Sequence, residues 1–152
     1  MLAEAMRLSL QAQYAVCGVF DLAYNAGDQP VQVRVIGERQ QIPARYLEQI
    51  FQRLRRAKLV QGKRGPGGGY VLARPPGEIT LRDVIEAVEG PLARVVGGGL
   101  PGEAAARPAF LWPRLAASMA AALEEIDFGT LCREAARREV PRAHPAGQMY
   151  HI

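Results

Sequence analysis

The sequence is short of the residues on which most protein chemistry depends. Its 152 residues include only two cysteines and two histidines, and aromatic side chains make up 7%. Cysteines as far apart as Cys17 and Cys132 argue against a disulfide-rich scaffold. No apolar run approaches the roughly 20 residues that a membrane span needs. The first ten residues carry Glu4 and lack a long apolar core, so no signal peptide is read and a cytoplasmic location is expected. There is no Ser-His-Asp set, no metal-ligand spacing and no carboxylate pair in a plausible cleft, so an enzyme is not expected. What is present is the composition of a soluble globular protein, 49% hydrophobic and 22% charged. The length suits one domain with an extension and is too short for two independent cores.

Acidic residues are scarcest where basic ones are densest. Residues 34–74 hold ten Lys or Arg (Arg34, Arg39, Arg45, Arg53, Arg55, Arg56, Lys58, Lys63, Arg64, Arg74) against Glu38 and Glu48, a net +8, while the remainder is −4. Charge gathered in one quarter of a chain is the footprint of a polyanion-binding face. Taken alone, it is equally a solvated basic surface.

Helical periodicity organises the first half. Ala12, Val16, Val19, Phe20 and Ala23 predict a helix over 9–26, closed by Gly27. A short helix over 33–40 turns Val35 and Ile36 inward. Pro43 suits the first position of a third helix running to about Ala57, with Leu47, Ile50, Phe51 and Leu54 as one buried stripe. Two helices joined by so short a turn form a helix-turn-helix. The opposite face of the third helix carries Arg45, Glu48, Gln49, Gln52 and Arg56. Arg, Gln and Glu are side chains that can read guanine, adenine and cytosine edges in a major groove. Base contacts fall mainly in the first turns of such a helix, which favours Arg45, Tyr46, Glu48 and Gln49.

The following segment strengthens the case. Leu59 to Gln61 and Tyr70 to Leu72 read as short strands joined by a glycine-rich turn that contains Gly65 and Gly67, with Lys63 and Arg64 at its tip. Such a hairpin is a wing, placed to lie on a phosphate backbone or in a minor groove. A Walker phosphate loop does not fit, because Lys63 precedes the glycines and no hydroxyl follows it.

Thr80 and Asp83 resemble a capping box opening a helix that buries Leu81, Val84, Ile85 and Val88 and ends at Gly90-Pro91. Residues 91–108, rich in Gly and Pro, read as a mobile loop. A long helix over about 109–127 follows, with Leu115, Met119, Ala122 and Ile126 at coiled-coil spacing. Dimerisation is the expected use of that seam, with Trp112 anchoring the helix to the winged domain; packing onto the chain's own core is the alternative. A short helix over 130–138 precedes a tail, 141–152, expected to be disordered. The fold class is therefore mainly α with a small β-hairpin wing. Its parts are a winged helix-turn-helix over 6–90, the loop over 91–108, dimerisation helices over 109–140 and the tail.

Three motifs in order carry a family resemblance: Tyr46-Leu47-Glu48-Gln49-Ile50-Phe51, then Leu54-Arg55-Arg56-Ala57, then Arg64-Gly65-Pro66-Gly67-Gly68-Gly69-Tyr70. They resemble the bacterial regulators of the IscR, NsrR and CymR kind, the Rrf-two family. The likeness runs from Met6 to Pro91 and returns weakly at Leu111-Trp112 and Thr130-Leu131. It implies a winged-helix homodimer on a palindromic operator in double-stranded DNA, most simply as a repressor. It also implies that Arg45, Tyr46 and Glu48 face bases or phosphates and that Arg64 enters the groove beside the wing. Arg45 departs from the pattern, since many relatives carry a small hydroxyl residue there. Iron-sulfur members carry three cysteines in the loop corresponding to 91–108, whereas here that loop has no Cys and no His. Neither a cofactor nor a metal is therefore expected, and the effector, small molecule or protein, is not specified. Cys17 reads as core filler, with a redox-sensing thiol as the alternative. Cys132 also reads as filler, although beside Arg133 near a helix start it sits where a thiol pKa can be lowered. The competing function is a winged helix that docks a protein partner, against which the +8 segment argues.

Overall fold

The computed structural model of the chain describes residues 7–25, 29–97 and 99–143. Met6, Gly27, Gly98 and the part of the expected tail from His144 onward lie outside these. Helices α1 (Leu10–Asn25), α2 (Val33–Gln40) and α3 (Ala44–Arg56) are followed by an antiparallel hairpin of β1 (Val60–Lys63) and β2 (Gly69–Leu72). Then come α4 (Leu81–Glu89), α5 (Leu92–Val96), α6 (Leu111–Glu124) and α7 (Phe128–Arg137). The mainly α architecture with one hairpin is the fold class expected.

The core forms where the apolar stripes of α1, α2, α3 and α4 meet. Leu47, Ile50, Phe51 and Leu54 of α3 pack with Val19, Leu22, Ile36 and Val84, all essentially inaccessible to solvent. Burying each such side chain contributes about 1.5–3 kcal/mol. On α2 the buried positions are Val33, Ile36 and Gly37, one face at i, i+3 and i+4. Val35 lies at the edge of that face and is only half-buried.

The turn between α2 and α3 shows why the chain reverses here. Gln41 adopts a left-handed conformation with φ 56°, and the Ile42 N–H donates back to the Gly37 carbonyl at 2.9 Å. A Cβ at residue 37 would stand 2.6 Å from the Ile42 carbonyl oxygen, so the turn requires glycine. Pro43 is extended and precedes the first turn of α3 rather than opening it, its carbonyl accepting from the Tyr46 N–H. Buried beneath the turn is Asp21, which accepts from Arg39 Nη1 at 3.1 Å and Gln40 Nε2 at 3.0 Å, fixing the end of α2 to α1.

The first strand begins one residue later than the sequence pattern suggests, and the second one residue earlier. Leu59 is buried but outside the strand, because its N–H closes the end of α3 on the Leu54 carbonyl. The capping box is formed, with Thr80 Oγ1 accepting from the Asp83 N–H and Asp83 Oδ2 from the Thr80 N–H. Leu81 is half-buried beside fully buried Val84 and Ile85.

Beyond Gly90 the structure corrects several expectations. The segment read as a mobile loop opens with helix α5, whose Leu92 is buried and donates its N–H to Glu86 Oε2 at 2.9 Å. Helix α6 is shorter than expected and lays its small residues Ala116 and Ala120 on Ala12, Ile85 and Leu92. Ile126 falls past its end, in a turn whose carbonyl accepts from the Leu81 N–H at 2.9 Å. Trp112 packs at Gly97, the end of α5. Residues 141–143, expected within the tail, lie along α1: the Arg142 guanidinium covers the Tyr24 ring, and the Ala143 N–H donates to Asn25 Oδ1 at 2.8 Å.

Candidate nucleic-acid interface

The buried stripe of α3 leaves its other side in solvent. Arg45, Tyr46, Glu48, Gln49, Gln52 and Arg56 are all exposed. At the N-terminal end Arg45 lies over Tyr46, its guanidinium carbon 4.9 Å from the ring centroid, and Tyr46 stacks on Tyr14 of α1 at 6.3 Å. Tyr14 was missing from the residues read from sequence. It sits on a helix flank whose neighbour is 32 positions away, and no local pattern marks it.

The wing stands beside this helix because its root is fastened twice. Tyr70 exchanges hydrogen bonds with Val31, at 3.0 and 2.8 Å, and its ring packs 5.0 Å from Phe51. Gly69 makes the first attachment sterically feasible, since a Cβ there would stand 2.4 Å from the Val31 carbonyl carbon. Lys63 pairs with Gly69 as the last rung of the ladder, so the tip proper begins at Arg64. Gly65 and Gly67, with φ of 91° and 73°, carry the turn, and no atom of the protein would crowd a side chain at either.

The ten cations of residues 34–74 divide by role, with Arg74 lying 3.7 Å from Asp83. Arg39 is held by Asp21, and Arg34 pairs with Glu38 at 2.9 Å. Arg53 donates to Gln11 Oε1 and the Val88 carbonyl, joining α3 to α1 and α4. Among the described residues, Arg45, Arg55, Arg56, Lys58, Lys63 and Arg64 have no carboxylate partner. The unneutralised charge therefore falls in two groups: Arg45, Arg56, Lys63 and Arg64 on the polar face of α3 and the wing, and Arg55 and Lys58 apart from them at the C-terminal end of α3. Burial pushes the Asp21 carboxyl above its ordinary value while Gln40 and Arg39 pull it back.

The other expected interface lies on α6. Leu115, Ala122 and Ile126 are exposed, with Leu115 at 40%, and Met119 and Trp112 are half-buried. Burial pushes the thiols of Cys17 and Cys132 up, and for Cys132 it outweighs Arg142 and Arg133. This overturns a lowered pKa at Cys132, which lies in the second turn of α7 and not at its end.

A helix-turn-helix with an exposed second helix and a hairpin fastened beside it defines a winged helix-turn-helix. Residues 8–134 match the Rrf2 family, described as an iron-dependent transcriptional regulator, and the chain belongs to that family. It is 40% identical to the HTH-type transcriptional regulator IscR of Cronobacter sakazakii over 83% of this chain and 80% of that protein. It is 49% identical to a putative HTH-type regulator of Neisseria meningitidis, the match spanning 55% of this chain and 57% of that protein's length. Among solved structures, the T. potens IscR is similar with a TM-score of 0.69 and 32% identity, covering 91% of this chain and 94% of that one. CymR, the global cysteine regulator of B. subtilis, is similar with a TM-score of 0.69 and 30% identity, covering 86% and 98%.

The family's description raises the question of iron. Among the described residues, no three His, Cys, Asp or Glu side chains are grouped to hold a metal ion, and residues 91–108 contain neither Cys nor His. This donor set does not fit an iron-sulfur centre. Among the described residues, no helix is long and apolar enough to cross a membrane.

Proposed function

We propose that the chain is a DNA-binding regulator that acts as a homodimer on a palindromic operator, most simply as a repressor in the cytoplasm, with no enzymatic activity. Helix α3 enters the major groove, where Arg45, Tyr46, Glu48 and Gln49 read base edges and Gln52 and Arg56 follow. Lys63 and the Arg64–Gly67 tip lie on the adjacent backbone, with Arg64 directed to the minor groove. The observation that carries this reading is the coincidence of unneutralised cations with the polar face of α3 and the wing. The seam of Trp112, Leu115, Met119 and Ala122 on α6, with Ile126 just past its end, joins the two subunits. The signal is read by something other than an iron-sulfur cluster, since the loop lacks its ligands.

The test is a selection from randomised duplexes by the parent and by single variants. Arg45→Ala or Glu48→Ala should cost about 1–3 kcal/mol and relax preference at one position per half-site. Lys63→Ala should weaken binding to all sequences alike and lower the salt slope by about one unit per subunit. Unchanged base preferences for the α3 variants, with altered ones for Lys63→Ala, would reverse the roles assigned to helix and wing.

A further inference from the structure

A second concentration of positive charge lies behind the wing, away from the first turns of α3. An open groove of about 740 Å³ separates the C-terminal end of α3 from the root of the hairpin, lined by Arg55, Lys58, Gln61, Arg74 and the strand residues Val60 and Gly62. None of its lining residues is acidic. The carboxylate that approaches Arg74, Asp83 at 3.7 Å, already accepts from the Thr80 N–H.

Lys58 supplies an independent observation. Its N–H donates to the Arg55 carbonyl at 2.9 Å, the next N–H reaches back to Leu54 at 3.0 Å, and its φ is 63°. This is the left-handed position that ends a helix, which glycine fills with least strain. The chain thus keeps a cation where the backbone favours glycine, and it keeps it at the mouth of a cationic groove.

We infer that this groove holds backbone phosphates of the DNA flanking each half-site, so that a subunit's footprint extends beyond the bases it reads. The inference rests on α3 reading the operator. A helix of 13 residues spans about 20 Å, at 1.5 Å per residue. The groove therefore lies at the other end of α3 from Arg45, a distance of about six base-pair steps along a duplex. Three cations with no acidic lining suit a ligand of repeated single negative charges. The open shape suits a rod-like strand better than an enclosed small molecule.

The experiment uses the full chain and two versions of the duplex it selects from a random pool. One version is trimmed to the palindrome and the other carries about ten further base pairs on each side, roughly one helical turn. The parent is expected to prefer the flanked duplex by about tenfold at moderate salt, an advantage that shrinks as salt rises. Lys58→Gly and Arg55→Gln should each remove most of that advantage and lower the salt slope on the flanked duplex by about one unit per subunit. Binding to the trimmed duplex should be unchanged, and the melting temperature of Lys58→Gly should equal or exceed the parent's, so that lost binding is not lost folding.

A flank preference that survives in both variants overturns the inference, as does an equal loss on trimmed and flanked duplexes. Titration with inorganic pyrophosphate tests the other source of the same chemistry. Binding that the variants lose while the flank preference stays intact would assign the groove to a free anion instead. A parent that selects no sequence at all rejects the operator reading itself. A parent that selects one but ignores the flanks rejects the groove alone.

Discussion

Helices α3 and α6 are of nearly equal length, 13 and 14 residues, and they distribute their apolar side chains in opposite ways. Helix α3 buries its large residues, Leu47, Ile50, Phe51 and Leu54, and shows solvent its polar ones. Helix α6 buries Ala116 and Ala120 while Leu111 and Leu115 stay 38% and 40% exposed. Each has an apolar stripe, but among the described residues only that of α3 is completed within the chain. A helix that spends its alanines on its own core and presents leucines to solvent is arranged for a neighbour outside the chain, which is why the proposed dimer contact belongs on α6.

The sharpest test removes one large side chain from each stripe. Phe51→Ala should lower unfolding stability by about 3–5 kcal/mol, since a fully buried ring leaves a cavity. Leu115→Ala should cost well under half as much in dilute protein; equal losses in urea titrations would mean that α6 is as much a part of the subunit core as α3.

Placing a charge on the exposed stripe separates association from folding. Leu115→Arg should leave the subunit folded but weaken dimerisation by several kcal/mol, the cost of an unpaired charge in an apolar contact. Sedimentation that finds this variant as dimeric as the parent would move the interface off α6.

The same contrast between internal and external partners divides two arginines of one helix. Arg53→Ala should cost about 1–3 kcal/mol of stability, because Gln11 and the Val88 carbonyl lose their donor. Arg56→Ala should change stability by no more than about 0.5 kcal/mol while weakening binding to every duplex. A stable Arg53→Ala protein with impaired binding would place that residue on DNA.

The smallest effect concerns the joint between α6 and α7. Asp127 caps α7 by accepting from the Thr130 N–H at 2.8 Å, which holds its carboxyl below the usual value. Stability from a depressed acid is present above its unfolded value of about 3.9 and lost as pH falls through the lower folded value. Asp127→Ala should therefore cost about 1 kcal/mol at neutral pH and progressively less as pH falls below about 4. A cost that does not change with pH in unfolding titrations would show that the cap acts without its charge.

Much of the winged domain was legible because its determinants are local. The stripe of α3, the capping box at Thr80, the glycine-rich wing and the outward polar face all follow from spacing along the chain. The same reasoning placed Lys63 at the tip when it is a ladder residue, and it made a loop of the segment that opens with α5. A five-residue helix between Pro91 and a run of glycines carries too short a pattern to stand out, and Leu92 is buried only because α4 and α6 come to it. The stacking of Tyr14 beneath Tyr46 escaped the sequence for the same reason.

Sequence alone determined the main helices of the winged domain, the order of helix, turn, helix and hairpin, and the charge that accumulates along them, because helical and strand periodicities and turn residues act over a few neighbours. Tertiary structure decided which cations stayed free and which apolar stripe stayed open. Arg39 is occupied because Asp21 is buried 18 residues away, Arg53 because Gln11 and Val88 converge on it, and Leu115 is exposed because two alanines took the inner side of α6. A side chain's role depends on the partner it finds in space, and that distance is not written into its neighbours in sequence.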